Sequence, residues 1–358
     1  MYHKSRLINF AVDILNNQII SGWIFSKLLQ KKPVNLSIYL DEDCVGQVTA
    51  DKDRKDIFNL RLHPTGKCGF TFVFPKDINV ATHKKLTVRY GAFKASLFSL
   101  NISEIPFTFQ KPLPQIFFMH IPKTAGSSFD NFVRRRYPAE SISARLESLD
   151  TQLYSQLTAD KKYLVGHLPL GKIKKFFTLE DYALYTIVRE PWHHLHSHLN
   201  WIRNIAKNPD LGFYRAHPQC VRELADRLND SKTEITEQLT RLVNNINGFE
   251  FDFFDNMQTR YFLDYRPEKV GDEDIAAALE NFKYFSDIGR TEDYQRFTAR
   301  FCQKYNLPFI QQGQPLQCPV DSPLYDFEKE NFKTLLHPLV KYDLQLYAAV
   351  AEREARKE

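Results

Sequence analysis

Over the first hundred residues, short apolar and β-branched runs recur at 12–14, 19–25, 34–40, 45–50, 70–74, 86–90 and 95–100. Turn-forming groups separate them, among them Asp41-Glu42-Asp43, Pro64-Thr65-Gly66 and Pro75-Lys76-Asp77. Several short strands at regular spacing predict a small β-sandwich over 1–105. The stretch 106–114 carries Pro106, Pro112 and Pro114, which resist helix and central strand and mark a linker. Beyond it the period changes. An apolar run over 115–121 suits a buried parallel strand, and 127–136 places Phe129, Phe132 and Val133 on one helical face. A strand at 183–188 precedes a helix at 191–206, with Pro191 suited to its first turn. Further strands are expected at 163–165 and 284–288, and helices at 218–247, 274–282, 293–305 and 327–355. Alternating strands and helices predict an α/β domain over 115–358 with a mostly parallel sheet flanked by helices.

Composition narrows the class. At roughly 150 residues per domain, a chain of 358 residues suggests about two domains. With 43% hydrophobic residues, including 29 Phe and 17 Tyr, the chain has ample apolar area for a core, which excludes a disordered protein. The 48 Lys and Arg against 43 Asp and Glu leave a net charge of +5, too mild for a nucleic-acid coat or a polybasic membrane anchor. A local anion site is compatible with that balance. Residues 1–20 lack the apolar block of a secretory signal, and no run approaches the ~18–20 apolar residues of a membrane span. Cys44, Cys68, Cys220, Cys302 and Cys318 are odd in number and form no CxxC pair, which argues against a disulfide framework or zinc site. A soluble cytoplasmic protein is the expectation.

The chemistry concentrates in Phe118-Met-His-Ile-Pro-Lys-Thr-Ala-Gly-Ser-Ser-Phe129. A buried strand ends near Ile121 and a loop opens directly into a helix. The N–H groups of Gly126, Ser127 and Ser128 would form an anion site at the helix start. Lys123 adds a full charge, and Thr124, Ser127 and Ser128 add hydroxyls. A plain strand–helix turn with a surface lysine is the alternative. The lysine precedes the glycine, opposite to the Walker A order, which disfavours an ordinary nucleotide-hydrolase loop. The whole string resembles the 5′-phosphosulfate loop of sulfotransferases that use 3′-phosphoadenosine 5′-phosphosulfate (PAPS), in particular the branch containing heparan sulfate 2-O-sulfotransferases and bacterial relatives. The resemblance spans about 115–350. It implies a P-loop-like parallel sheet, with Lys123, Thr124, Ala125, Gly126, Ser127 and Ser128 holding the donor.

A second segment, Tyr185-Thr-Ile-Val-Arg-Glu-Pro-Trp-His-His-Leu-His-Ser-His198, is similar to the 3′-phosphate motif of that family. Arg189 at a strand end offers a bidentate fork to a phosphate, and Ser197 lies about two helical turns on. An ion pair with Glu190 is the plainer reading of Arg189. His194 stands where the family often has arginine. His194 and His198 are spaced for a metal, but no intervening glutamate and no third ligand accompany them, so helix histidines without metal are expected.

Sulfuryl transfer, like phosphoryl transfer, asks a protein mainly to position the partners and stabilise charge on the leaving oxygen. Lys123 suits that role. The acceptor hydroxyl also needs a base, and histidine has the appropriate pKa range. Tyr163-Leu-Val-Gly-His-Leu-Pro-Leu-Gly171 resembles the family's Gly-His-x-x-x-Gly stretch, which implies His167 as that base, with His120 as its competitor. Asp255-Asn-Met-Gln-Thr-Arg-Tyr261 resembles a further family segment. There, Gln258 and Arg260 reach acceptor or donor, or else serve as cap and ion-pair partner. Thr291 is expected to cap the helix that follows it. Residues 311–323 lack a basic clamp.

The N-terminal region separately resembles small β-rich modules of bacterial sugar-modifying enzymes, through Ser21-Gly22-Trp23, 36–40 followed by Asp41, Val45-Gly46, Ala50-Asp51, Asp53-Arg54-Lys55-Asp56 and Gly69-Phe70. Trp23 is either a sugar-stacking platform or a core residue. Together the likenesses imply a bacterial, metal-independent sulfotransferase acting on a carbohydrate hydroxyl, with no nucleic-acid partner. A glycolipid at a membrane surface is compatible with that acceptor class. A P-loop-type kinase or nucleotide hydrolase, and a non-catalytic carbohydrate-binding protein, are the competing classes.

Overall fold

A computed structural model describes residues 8–15, 19–54, 57–58, 62–75, 77–91, 95–102, 113–134, 136–137, 139–206, 212–215, 217–230, 232–246, 248–307 and 330–356. Most of the expected linker at 106–114 and all of 311–323 therefore lie outside the described residues, as does Cys318. The chain divides into two compact units. One comprises Met1–Leu113, Asn131–Pro138 and Asp293–Cys318; the other comprises Pro114–Asp130, Ala139–Glu292 and Pro319–Glu358.

In the first unit, β1 (Ile8–Leu15), β2 (Ile19–Ser26), β5 (Lys52–Asp53) and β6 (Lys67–Val73) form an antiparallel sheet of order β1-β2-β6-β5. A second antiparallel sheet, of order β4-β3-β7-β8, contains β3 (Val34–Leu40), β4 (Asp43–Ala50), β7 (Lys85–Tyr90) and β8 (Ala95–Asn101). The two-residue period decides which side chains go inward. Ile20 and Ile24 of β2 join Leu36, Ile38 and Leu40 of β3 in one shared core. The opposite face of β2 sends Trp23 and Phe25 into a smaller cluster with Ala11, Ile57 and Cys68. Trp23 is only 6% exposed and stacks on Phe25 with ring centroids 5.7 Å apart. Of its two readings, the core one holds.

The second unit is built on a five-stranded parallel sheet of order β10-β11-β9-β12-β13. Its strands are β9 (Ile116–Met119), β10 (Ile142–Ala144), β11 (Tyr163–Gly166), β12 (Ala183–Val188) and β13 (Phe285–Arg290). Central β9 is buried on both faces, which is why its sequence is an unbroken apolar run. On one face Phe118 meets Phe129 of the Gly126–Arg134 helix, with ring centroids 4.9 Å apart. On the other, Phe117 and Met119 share a core with residues of the Leu170–Phe176, Asp272–Glu280 and Lys341–Ala355 helices. The chain leaves β9 toward β10 and leaves β12 toward β13. The carboxyl ends of β9 and β12 thus flank a topological switch point, where α/β sheets bind ligands.

Two helical expectations need correction. The pattern at 218–247 is two helices, Gln219–Arg227 and Ile235–Asn245. Asp230 breaks it by accepting hydrogen bonds from the Lys232 N–H at 3.0 Å and the Thr233 hydroxyl at 2.7 Å, the local competition that short polar side chains offer a helix. The C-terminal pattern is likewise split, into Glu330–Leu336 and Lys341–Ala355, by a short 3₁₀ turn at His337–Leu339 that contains Pro338. No helix among the described residues is long and apolar enough to cross a membrane.

Candidate functional site

Strand ends bring the sequence candidates together at the carboxyl end of the parallel sheet. His120 follows β9, His167 follows β11, Arg189 follows β12 and Thr291 follows β13. The loop from His120 to Ala125 then enters the Gly126–Arg134 helix.

The loop's carbonyl oxygens are all occupied. The Thr186 hydroxyl donates to the Met119 carbonyl at 2.7 Å, His167 Nδ1–H to that of His120 at 2.7 Å, and the Thr124 hydroxyl to that of Ile121 at 2.9 Å. His194 Nε2–H donates to the Pro122 carbonyl at 2.8 Å and the Arg189 guanidinium to that of Lys123 at 3.2 Å. The Thr291 hydroxyl donates to the Thr124 carbonyl at 2.9 Å, and the Ser128 N–H to that of Ala125 at 3.0 Å. Every carbonyl from Met119 to Ala125 is thus tied off, all but the last by a side chain. The Ser128 N–H, expected among the anion donors, is therefore spent within the loop, whereas no described acceptor engages those of Ala125, Gly126 and Ser127, the first N–H groups of a helix having no partner within it.

The backbone conformation has the same consequence. Lys123 and Ala125 adopt positive φ of 68° and 64°, at a cost of roughly 1–3 kcal/mol each for residues with a side chain. Positive-φ residues set among negative-φ ones are the backbone element from which anion-binding nests are made. The tethers on the carbonyls hold this strained loop in place.

Gly126 serves a purpose other than the one its sequence context suggests. A Cβ there would lie 2.0 Å from Cδ2 of His120. The glycine is required by the His120 ring, which stacks on Phe118 with centroids 5.5 Å apart and lies 4.4 Å from the His167 ring centroid. Thr124 also departs from expectation. It is fully buried and its hydroxyl serves the loop's own Ile121 carbonyl, so only its backbone remains for a ligand. Ser127 is exposed, and Ser128 and Lys123 are partly so.

Among the described residues no carboxylate forms an ion pair with Arg189. Burial works against its charge, and the Glu292 and Glu190 carboxylates partly offset that. The Gln258 side-chain amide accepts the Arg189 N–H at 2.8 Å and donates to the Arg189 carbonyl at 2.9 Å. Ser197 is partly exposed on the Pro191–Ala206 helix, and its hydroxyl has no partner among the described residues.

His167 is partly buried, and its backbone N–H donates to Glu147 Oε2 at 2.8 Å. The Nδ1–H bond to the His120 carbonyl fixes its tautomer and leaves Nε2 as the basic nitrogen. His194 is buried, and its pKa is pushed down to about 4 by burial above all, with the nearby charges of Arg189 and Lys123 adding to the effect. His198 moves the same way, and neither of its ring nitrogens has a hydrogen-bond partner among the described residues.

Arg260 and Thr291 take structural roles. Arg260 is committed to the buried Asp255 carboxylate and to the carbonyls of Asp255, Pro267 and Glu268. Thr291 does not cap the following helix, whose start at Asp293 has no side-chain cap. Its hydroxyl instead joins the loop to β12 through the Thr124 and Val188 carbonyls. Thr186 and Glu147 were not singled out from the sequence. A threonine inside the otherwise apolar and aromatic run of β12 was the available clue to Thr186, whereas Glu147 carried none. No family model and no curated protein matches the chain.

Proposed function

We infer that the chain is a sulfotransferase that moves a sulfuryl group from PAPS to a carbohydrate hydroxyl. One observation carries the reading: a strand–helix loop with its carbonyls tied off, its amides left for an anion, Lys123 within it and the Arg189 guanidinium on its backbone. Such a loop fits the 5′-phosphosulfate group, with the N–H groups of Ala125, Gly126 and Ser127, the Ser127 and Ser128 hydroxyls and the Lys123 ammonium as its donors. Arg189 and Ser197 fit the 3′-phosphate. The carbohydrate acceptor, and a cytoplasmic setting in keeping with Cys44, Cys68, Cys220 and Cys302 in thiol form, belong to the same proposal.

PAPS supplies an activated sulfuryl group and departs as adenosine 3′,5′-bisphosphate. The protein's part is positional and electrostatic. His167 Nε2 takes the proton of the acceptor hydroxyl as its oxygen bonds to sulfur, and Lys123 stabilises charge on the departing phosphate oxygen. Because the His120 carbonyl holds Nδ1–H, the imidazolium so formed keeps its orientation.

Adenosine 3′,5′-bisphosphate should raise the thermal midpoint, and Lys123→Ala or Arg189→Ala should diminish that rise. At one hundred times Kd the stabilisation amounts to about 2.7 kcal/mol. Absence of binding by calorimetry at millimolar ligand overturns the donor assignment. His167→Ala should bind the bisphosphate normally yet lose 10²–10⁴-fold in transfer, the order of a general base's contribution; normal turnover excludes it as the base. Magnesium-dependent ATP turnover without response to PAPS would instead favour a kinase.

A further inference from the structure

Arg189 lies one residue beyond the paired part of its strand. The last register partners of β12 are Thr186 opposite Met119 on one side and Val188 opposite Arg290 on the other. The Arg189 N–H and carbonyl consequently have no strand to pair with. Gln258 supplies both partners at once, its Oε1 taking the N–H at 2.8 Å and its Nε2 donating to the carbonyl at 2.9 Å. A primary amide used in this way imitates one peptide unit of an adjacent strand, so it fixes the backbone of a single residue.

Gln258 is itself immobilised. It is fully buried and sits in the Met257–Tyr261 helix, whose start is held by the buried Asp343. One carboxylate oxygen accepts the Gln258 N–H at 3.2 Å, and the other accepts the Thr259 N–H at 2.7 Å and the Thr259 hydroxyl at 2.8 Å. At the far end of Arg189, the guanidinium reaches the Lys123 carbonyl. The arginine is therefore gripped at its backbone by Gln258 and at its head by the loop, which presets the direction from which it meets an anion.

We propose that Gln258 is the positioning residue of the site, holding Arg189 in the geometry that binds phosphate through a two-point amide clamp on the Arg189 backbone. The proposal rests on the reading of Arg189 as a phosphate ligand. Gln258 reaches no ligand; both of its polar atoms are spent on Arg189. Its removal acts through the arginine, with the roughly tenfold loss typical of groups that orient a binding residue.

Calorimetry with adenosine 3′,5′-bisphosphate on the full chain tests this. Gln258→Leu should weaken binding about tenfold in the wild-type background and cost nothing further in an Arg189→Ala background. An equal loss in both backgrounds, or none in either, overturns the clamp. Unchanged affinity in Arg189→Ala alone overturns the phosphate reading and the clamp together, whereas a loss there with wild-type affinity in Gln258→Leu overturns the clamp only. Gln258→Glu provides a readout that a packing role would not move, and stands in where Gln258→Leu fails to fold. Its carboxylate accepts the Arg189 N–H but repels the Arg189 carbonyl, so its affinity relative to wild type should be lowest at alkaline pH. The ratio should recover as the carboxyl gains a proton to donate, and a ratio independent of pH counts against the clamp.

Discussion

A buried neutral imidazole near two cations makes the site's tether sensitive to acid. His194 carries the Pro122 carbonyl, and its pKa of about 4 means that the folded protein holds fewer protons there than the unfolded chain below pH 6.5. Stability from this residue is complete above about 6.5 and is lost as pH falls toward 4, a change on the order of 3 kcal/mol. Asp343 works in the opposite sense. Burial pushes its pKa up to about 7, against the hydrogen bonds from Thr259 and Gln258. The native state thus retains a proton there that the unfolded chain gives up, and stability falls as pH rises from about 4 to 7. The two slopes partly cancel. His194→Gln keeps a donor for Pro122 without the titration, so urea denaturation from pH 4.5 to 7.5 should find its stability gaining on wild type steadily as pH falls. A constant offset between the two proteins would refute a buried neutral His194.

Among elements, the passage from β9 through the loop to the Gly126–Arg134 helix shows how tightly conformation and chemistry are joined. Gly126→Ala places a methyl group against the His120 ring, which cannot retreat freely between Phe118 and His167. We expect a destabilisation of about 1–3 kcal/mol, as for other overpacked sites, together with loss of bisphosphate binding as the loop moves. Wild-type binding in this variant would show that the ring yields. Much of this end of the sheet was legible in the sequence. The β12 strand and the helix after it fall at the expected bounds because an apolar run meets Pro191, and Lys123 and Arg189 stand out by their motifs. What stayed hidden were the partners of the backbone. A sequence shows that Thr186, His194 and Thr291 can donate, but their acceptors are loop carbonyls that only the parallel register of β9, β12 and β13 brings near. For the same reason, the Thr124 hydroxyl looks like a ligand donor until its buried bond to Ile121 is seen. The break at Asp230 does carry a signal, the short polar residues Asn229, Asp230, Ser231 and Thr233, but helical periodicity on both sides of it masks the turn.

At the scale of the whole molecule, the apolar residues collect in separate places. One core lies between the antiparallel sheets around Leu36 and Ile38, and another lies under the parallel sheet around Phe117 and Leu184. Leu36 is fully buried, so Leu36→Ala should cost about 2–5 kcal/mol through lost transfer energy and the cavity left behind. If each core sustains its own unit, that cost is local. Hydrogen exchange read by mass spectrometry should then rise in peptides covering β1 to β8. Peptides 116–128 and 183–190 should keep both their basal protection and the added protection conferred by adenosine 3′,5′-bisphosphate. Leu184→Ala should reverse the pattern, exposing β9 and β12 and removing the ligand's effect while leaving the antiparallel sheets protected. Parallel rises across all strands in both variants would mean that the chain unfolds as one cooperative body, with a substitution in either core felt equally at the anion loop.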